Sequence, residues 1–306
     1  MTAGPRGTAE QLLREGVERL RGSGSETARL DAELLLGDAV GLGRTALLAH
    51  PEAPVAGEEA ARYRAAIERR AGGEPVAYIR GIKEFYGLRL AVDRRALIPR
   101  PETERLVELA EAEVRRRLPA ASLAGTPRVR IVDVGTGSGA VVVALAASLS
   151  RLGALDGVEL LALDVSDDAL DLARENAVRH AVADAIAFER ADLLAREGGS
   201  GTGRRFDLVL ANLPYVRHDV LPALPIATSF EPTIALDGGA DGLAVIERLL
   251  AQLPEALAEG GLALLEIGAD QGVPIVARCQ RVLPGWRCTV EPDLAGLPRV
   301  AGISRP

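Results

Sequence analysis

Aromatic residues are scarce in this chain of 306 residues: four Phe, four Tyr and one Trp, or 3% of the total. The core must therefore be built from Ala, Leu and Val, and each aromatic side chain is worth locating individually. Cysteine is nearly absent. Cys279 and Cys288 form no CxxC or Cys/His spacing, which excludes the common thiolate metal sites and fits a reducing compartment. Both are expected to be ordinary structural thiols. The three histidines, His50, His180 and His218, are far apart and form no metal-ligand pattern. Basic residues are outnumbered, 36 Lys and Arg against 43 Asp and Glu, for a net charge of -7. Sequence-independent nucleic-acid binding needs basic surface to neutralise phosphates, so no stable nucleic-acid partner is expected. No apolar run approaches the roughly 18 residues of a membrane span, and "MTAGPRGTAEQLLREG" lacks the apolar centre of a signal peptide. The expectation is a cytoplasmic protein without a membrane partner.

What is present is a large apolar fraction, 48%, enough for a real core and too much for global disorder. The length is compatible with two domains. From residue 9 to about 71 the pattern is helical only. Leu12, Leu13, Val17 and Leu20 fall at helical spacing, as do Leu30, Leu34, Leu35 and Ala39; a third set centres on Ile67. Glycines and Pro51 punctuate these helices. Residues 1–75 are expected to form a small helical domain. Residues 76–100 change character, with Tyr78, Phe85 and Tyr86 in a loop-and-strand setting and "LRLAV" alternating as a strand does; this predicts a hairpin-like connector. Residues 101–306 alternate strand and helix, and the strands read as near-continuous apolar runs. That predicts a mostly parallel α/β sheet with helices on both faces, closed by an antiparallel pair at "WRCTVEPD" and "PRVAGISR". "EVRRRL" reads as an exposed helical face, "GGSGTG" at 198–203 as a surface loop, and Trp286 as core.

Four features could carry chemistry. In "VDVGTGSGA" a strand runs into Gly135, Thr136, Gly137, Ser138 and Gly139, after which a helix begins. Glycines let the backbone turn sharply and approach a ligand, and the helix start offers free N–H groups. The same string also satisfies a dinucleotide-binding pattern. Asp164, at the end of the next strand, can accept hydrogen bonds from both hydroxyls of a ribose, which fits NAD or S-adenosylmethionine equally. Asp192, at the end of the third strand, could meet an adenine amino group. The fourth is "ANLPYVR". Asn212, Leu213, Pro214 and Tyr215 stand at the exit of the fourth strand, where a dehydrogenase has no use for them. A nitrogen conjugated to a carbonyl or a purine ring is a poor nucleophile with two N–H groups to satisfy. The Asn212 side-chain oxygen can accept one and the Leu213 backbone carbonyl the other, with Pro214 stiffening the corner and Tyr215 stacking on the flat acceptor. That aims the lone pair at a methyl sulfonium. No general base is evident.

Together these residues resemble the class I S-adenosylmethionine-dependent methyltransferases with an (Asn/Asp)-Pro-Pro-Tyr motif. "RLDAELLL", "GEPVAYIRGIKEFYGLRL", "LIPRPETE", "VDVGTGSGA", "NLPYV", "FEPTIALDGGADGL" and "LLEIGADQG" then follow the order of the HemK/PrmC family, across nearly the whole chain. That family methylates N5 of the glutamine in the Gly-Gly-Gln motif of class 1 peptide chain release factors. The resemblance implies a Rossmann-like methyltransferase domain at 101–306, and a 1–75 domain that docks the release factor. It implies S-adenosylmethionine as cofactor, held by Gly135 to Gly139, Asp164, the Asp192–Leu193 pair and Asn212. It implies a glutamine held by Asn212 to Tyr215 and bordered by Phe85 and the Arg100–Pro101–Glu102–Thr103 segment. A monomer is expected. The family usually has Pro where this chain has Leu213; Leu supplies the same backbone carbonyl with less rigidity, and Asn-Leu-Pro-Tyr also resembles the rRNA adenine dimethyltransferases. Two alternatives stay open: an adenine N6-methyltransferase acting on DNA or rRNA, and a non-enzymatic cofactor-binding interaction module.

Overall fold

The computed structural model describes residues 7–121, 128–196 and 205–306; the "GGSGTG" loop lies outside the described residues. The chain forms two compact units.

One unit runs to Ile82 and takes in Pro225–Phe230. Its helices are α1 (Ala9–Gly22), α2 (Ala28–Val40), α3 (Arg44–Ala49), α4 (Gly57–Ala71) and α5 (Val76–Arg80). Thr8 caps α1, accepting from the Gln11 N–H while the Gln11 side chain accepts from Thr8 N. Leu12, Leu20, Leu35, Leu36, Tyr63 and Ile67 are buried together. In α2 the expected apolar face is partly wrong: Leu30 is exposed and Leu34 half-buried, while Asp31 and Glu33 are buried. The acids turn inward because partners wait there. Arg70 reaches Asp31 at 2.7 Å, and Arg29 and Arg44 reach Glu33, so the "RLDAELLL" carboxylates tie α2 to α3 and α4. Helix α5 packs in this unit, although its residue pattern places it in the connector.

The other unit, Lys83–Leu224 with Glu231–Pro306, is an α/β sandwich. Strands β1 (Ile82–Phe85) and β2 (Leu88–Ala91) form a separate two-stranded sheet. Their tight turn uses Tyr86 and Gly87, both at positive φ (49° and 73°), as a two-residue hairpin requires. A 3-10 turn (Pro101–Thr103) then opens α6 (Glu104–Ala121), and the chain alternates: β3 (Val129–Val134), α7 (Ala140–Arg151), β4 (Val158–Asp164), α8 (Asp167–Arg179), β5 (Ile186–Asp192), β6 (Ala195–Arg196), β7 (Phe206–Ala211), α9 (Ala244–Ala256), β8 (Leu257–Glu266), α10 (Gly272–Val282), β9 (Arg287–Pro292) and β10 (Pro298–Ser304). The sheet order is β6-β5-β4-β3-β7-β8-β10-β9. Strands β3, β4, β5, β7 and β8 are parallel, and β10 runs antiparallel between β8 and β9.

Alternate residues of each central strand serve two cores. Ile131, Leu160 and Leu208 face α6 and α7; Val132, Leu161 and Val209 face α9 and α10. This is the burial on both faces that the continuous apolar runs predict. Cys279 is buried in the second core and both cysteines are free thiols. Trp286 is half-buried beneath the Arg305 guanidinium, 5.2 Å from the ring centre. The "EVRRRL" arginines pair with Glu111 and Glu113 along α6. Among the described residues no helix is long and apolar enough to cross a membrane. The order reverses beside β3, which has β4 on one side and β7 on the other, and such a reversal opens a crevice at the strands' C-terminal ends.

Candidate active site

The glycine loop leaves β3 into that crevice. Gly135, Gly137 and Gly139 all adopt left-handed backbone, with φ of 72°, 55° and 77°, where any side chain is strained. The N–H groups of Gly135 and Thr136 both donate to the Leu163 carbonyl, at 2.8 and 2.9 Å. The Thr136 hydroxyl donates to Asp133 at 2.7 Å, and Asn176 donates to the Ser138 carbonyl at 2.9 Å. Thr136 and Ser138 are thus buried props behind the loop. Gly139 packs on α8, where a β-carbon would stand 3.0 Å from Ala173 Cβ. Gly137 is different: a β-carbon there would meet only Ala96 Cβ, at 3.9 Å. Asp133 is fully buried, and burial pushes its carboxyl up to about 7 against the pull of Thr136 and a backbone N–H.

Asp164 ends β4 at the same place. One oxygen accepts from Gly137 N at 2.9 Å and the other from Ser166 N at 3.0 Å. Capping of α8 falls to Ser166, whose hydroxyl accepts from Ala169 N, so the helix does not need Asp164. Burial raises the Asp164 carboxyl above its ordinary range, opposed by the backbone N–H donors. Asp192, at the end of β5, is exposed and pairs with Arg248 at 2.5 Å. Leu193 is buried at a φ of 57°. A cavity of about 550 Å³ joins these parts; Gly135, Gly137, Asp164, Asp192, Asn212 and Pro214 are among the residues that line it.

The Asn-Leu-Pro-Tyr corner stands across from the glycine loop because β7 pairs in parallel with β3, Ala211 opposite Val134. Leu213 is buried, and its side chain packs against Gly135. This replaces the rigidity expected to be lost with the proline: a leucine anchored in the core holds the corner from inside. The Asn212 amide nitrogen donates to Thr103 Oγ1 at 3.0 Å. The Tyr215 hydroxyl donates to Glu266 at 3.2 Å, and the Tyr215 carbonyl accepts from Gln271 Nε2 at 3.0 Å. Val216 N donates to the Leu236 carbonyl and Gly238 N returns to the Val216 carbonyl. A β-carbon on Gly242 would overlap the Tyr215 carbonyl oxygen, so the segment after Asp237 can close on the corner only as glycine. Arg100 pairs with the buried Glu231 at 2.6 Å, and Ile98 N donates to the same carboxylate. Glu266 is buried, and burial pushes it up to about 7 although Thr103, Arg299 and Tyr215 draw it back. Burial, and then the charge of Glu266, raises the Tyr215 hydroxyl above its usual value, which keeps it a donor.

Of the residues the sequence singles out, the cavity gathers Gly135, Gly137, Asp164, Asp192, Leu193, Asn212, Leu213 and Pro214. Tyr215 stands next in the chain, with its hydroxyl turned to Glu266. Phe85 does not join them: it ends β1 pointing into the core, 1% exposed among residues such as Leu90 and Leu106. His218 pairs with Asp237 at 2.8 Å and His180 meets the Arg89 carbonyl. Among the described residues no cluster of His, Cys, Asp and Glu could hold a metal ion.

Comparison with known proteins agrees with this layout. Residues 11–81 match the PrmC N-terminal domain and residues 126–266 a methyltransferase domain. A release factor glutamine methyltransferase of Moorella thermoacetica is 40% identical over 95% of this chain and 96% of its own. One of Koribacter versatilis is 36% identical over 98% and 99%. The chain belongs to the release factor glutamine methyltransferase family. Among solved structures, the hMettl16 catalytic domain in complex with MAT2A 3'UTR hairpin 1 is similar with a TM-score of 0.53 at 16% identity, covering 81% of this chain and 80% of that one. That likeness shows the class I methyltransferase fold alone.

Family membership accounts for the order of the motifs; the structure accounts for their chemistry. Glu231, Glu266 and Gln271 were not legible as site residues. The available signal was an acid at the end of a buried apolar strand, "LALLEIG", because a fully buried carboxylate needs partners to be tolerated.

Proposed function

We propose that this protein transfers the methyl group of S-adenosylmethionine to N5 of the glutamine side chain in the Gly-Gly-Gln motif of class 1 release factors. It does so as a monomer in the cytoplasm, and its helical unit docks the release factor. Full-length relatives at 36–40% identity carry that name. The observation that carries the reading is that Asn212 lines the same cavity as Gly135, Gly137 and Asp164.

The residues fit the cofactor. The open side of Gly137 leaves room for a ligand against the backbone, and Asp164 has lone pairs left to accept from ribose hydroxyls. Asp192 and Leu193 serve the adenine end. When bound, S-adenosylmethionine supplies an electrophilic methyl group on a sulfonium. The chain's own residues do the rest. Asn212 Oδ1 and the Leu213 carbonyl each accept one N–H of the glutamine amide, which orients its nitrogen and disperses the positive charge that develops there. Pro214 fixes the corner and Tyr215 stacks on the amide plane. Arg100, locked to Glu231, borders the acceptor side.

The test incubates the protein with radiolabelled S-adenosylmethionine and, in separate arms, the release factor, DNA and rRNA. Label on the release factor, abolished when the Gly-Gly-Gln glutamine is replaced by Ala, is the expected result. Label on nucleic acid alone would overturn the reading in favour of adenine methylation. Asn212→Ala should lower turnover on the order of 10²-fold or more, the scale for a lost oxyanion-type partner, and leave cofactor affinity within a few fold.

A further inference from the structure

Thr103 sits directly behind Asn212. It closes the 3-10 turn at the head of α6 and is only 3% exposed, while Glu266, the last residue of β8, is 1% exposed. A hydroxyl has one hydrogen to donate. The Thr103 hydroxyl favours the ionised form of the Glu266 carboxyl, so its hydrogen turns toward that acid. The Thr103 oxygen can then only accept, and it accepts from the Asn212 amide nitrogen at 3.0 Å. The Tyr215 hydroxyl donates to the same carboxyl at 3.2 Å. The two buried residues thus hold the two ends of the corner, Glu266 the Tyr215 hydroxyl and Thr103 the Asn212 amide. The second oxygen of Glu266 is buried with no hydrogen-bond partner among the described residues. Burial of a half-satisfied carboxyl is costly, and fold stability alone would favour an apolar residue at this strand end.

We infer that Thr103 and Glu266 are positioning residues that hold the Asn212 side chain with its oxygen, not its nitrogen, toward the acceptor amide. The inference rests on the methyl-transfer reading above. The two ends of a carboxamide have nearly the same shape, so only hydrogen-bond partners distinguish them. Without the Thr103 oxygen the Asn212 amide nitrogen loses its partner, and the amide turns to the reversed state. In the reversed state it offers N–H groups to an acceptor that itself presents N–H groups, and transfer stops.

The experiment measures kcat, KM for release factor, and S-adenosylmethionine affinity by calorimetry for Thr103→Val, Thr103→Ser, Glu266→Met and Glu266→Gln. Thr103→Val should lower kcat roughly ten- to a hundredfold, the loss expected when one oriented hydrogen bond disappears from the transition state, with cofactor affinity within about threefold. Thr103→Ser restores the hydroxyl and should restore most of kcat. Glu266→Met should behave like Thr103→Val, and Glu266→Gln, which keeps an acceptor oxygen, should lose less. Thr103→Val combined with Asn212→Ala should be no slower than Asn212→Ala alone. A wild-type kcat in Thr103→Val, failure of Thr103→Ser to recover, or full additivity with Asn212→Ala would each overturn the inference. If Glu266→Met does not fold, the Thr103 series decides. Absence of label on the release factor with the wild-type protein would instead overturn the methyl-transfer reading itself.

Discussion

Leu213 and Gly135 interlock: Leu213 Cδ2 lies 2.9 Å from where a β-carbon on Gly135 would stand. Two adjacent parallel strands, β3 and β7, end side by side, and the exit of one fills the space that the other leaves empty.

A methyl group at Gly135 would collide with that leucine, and its φ of 72° strains any side chain by roughly 1 kcal/mol or more. Gly135→Ala should therefore lower both the melting temperature and S-adenosylmethionine affinity. Leu213→Ala alone should destabilise by about 2–4 kcal/mol, as large-to-small core changes do. The double variant should lose less than the sum of the two. Strictly additive losses in thermal melts would show that the contact does not matter.

Gly242 has a comparable role on the other side of the corner. A β-carbon there would overlap the Tyr215 carbonyl oxygen and lie 2.6 Å from Gln271 Nε2. Gly242→Ala should push the segment off Tyr215, reduce kcat at least tenfold and lower the melting temperature, because its φ of 76° strains any side chain as at Gly135. Unchanged kinetics would mean that the loop yields without moving Tyr215.

Asp164 spends lone pairs on Gly137 N and Ser166 N. Asp164→Ala should weaken S-adenosylmethionine binding by more than tenfold, because the ribose acceptor and the brace on Gly137 are lost together. Burial raises this carboxyl above its ordinary value, and a protonated carboxyl accepts fewer hydrogen bonds. Affinity should therefore begin to fall at a higher pH than an exposed aspartate would dictate. Calorimetric titrations across mildly acidic pH check this; a flat profile would refute it.

Asp133 governs stability rather than binding. Its carboxyl is pushed to about 7 in the folded protein from an ordinary value of 3.8, so folding favours the neutral form. That stabilisation is complete below about pH 4 and is lost as pH rises toward and through about 7. Across that interval each step of one in pH weakens the fold by ~1.4 kcal/mol. Glu266, also raised to about 7, acts in the same direction. Urea unfolding should show a decline from pH 5 to pH 8, and Asp133→Asn should flatten it. An Asp133→Asn variant with the wild-type slope would place the titration elsewhere.

The strand–helix alternation, the two-faced burial of β3, β4 and β7, the glycine loop and the Asn-Leu-Pro-Tyr corner were all readable from residue order, because each depends on local spacing. The misreadings have causes of their own. Phe85 was set beside the acceptor by family resemblance and not by any local pattern, and its position in β1 turns it into the core. The leucines of α2 suggested one face, whereas arginines from α3 and α4 drew Asp31 and Glu33 inward and left Leu30 outside.

By itself the sequence determined the order of elements, the exits of the strands and the identity of the groups waiting there, since periodicity and turn chemistry act over a few residues. Tertiary structure alone decided how Asn212 is oriented. Thr103, Glu231, Glu266 and Gln271 come from segments more than 100 residues apart at the extremes. Each reaches the corner or its Arg100 border through a hydrogen bond whose partner no local pattern names.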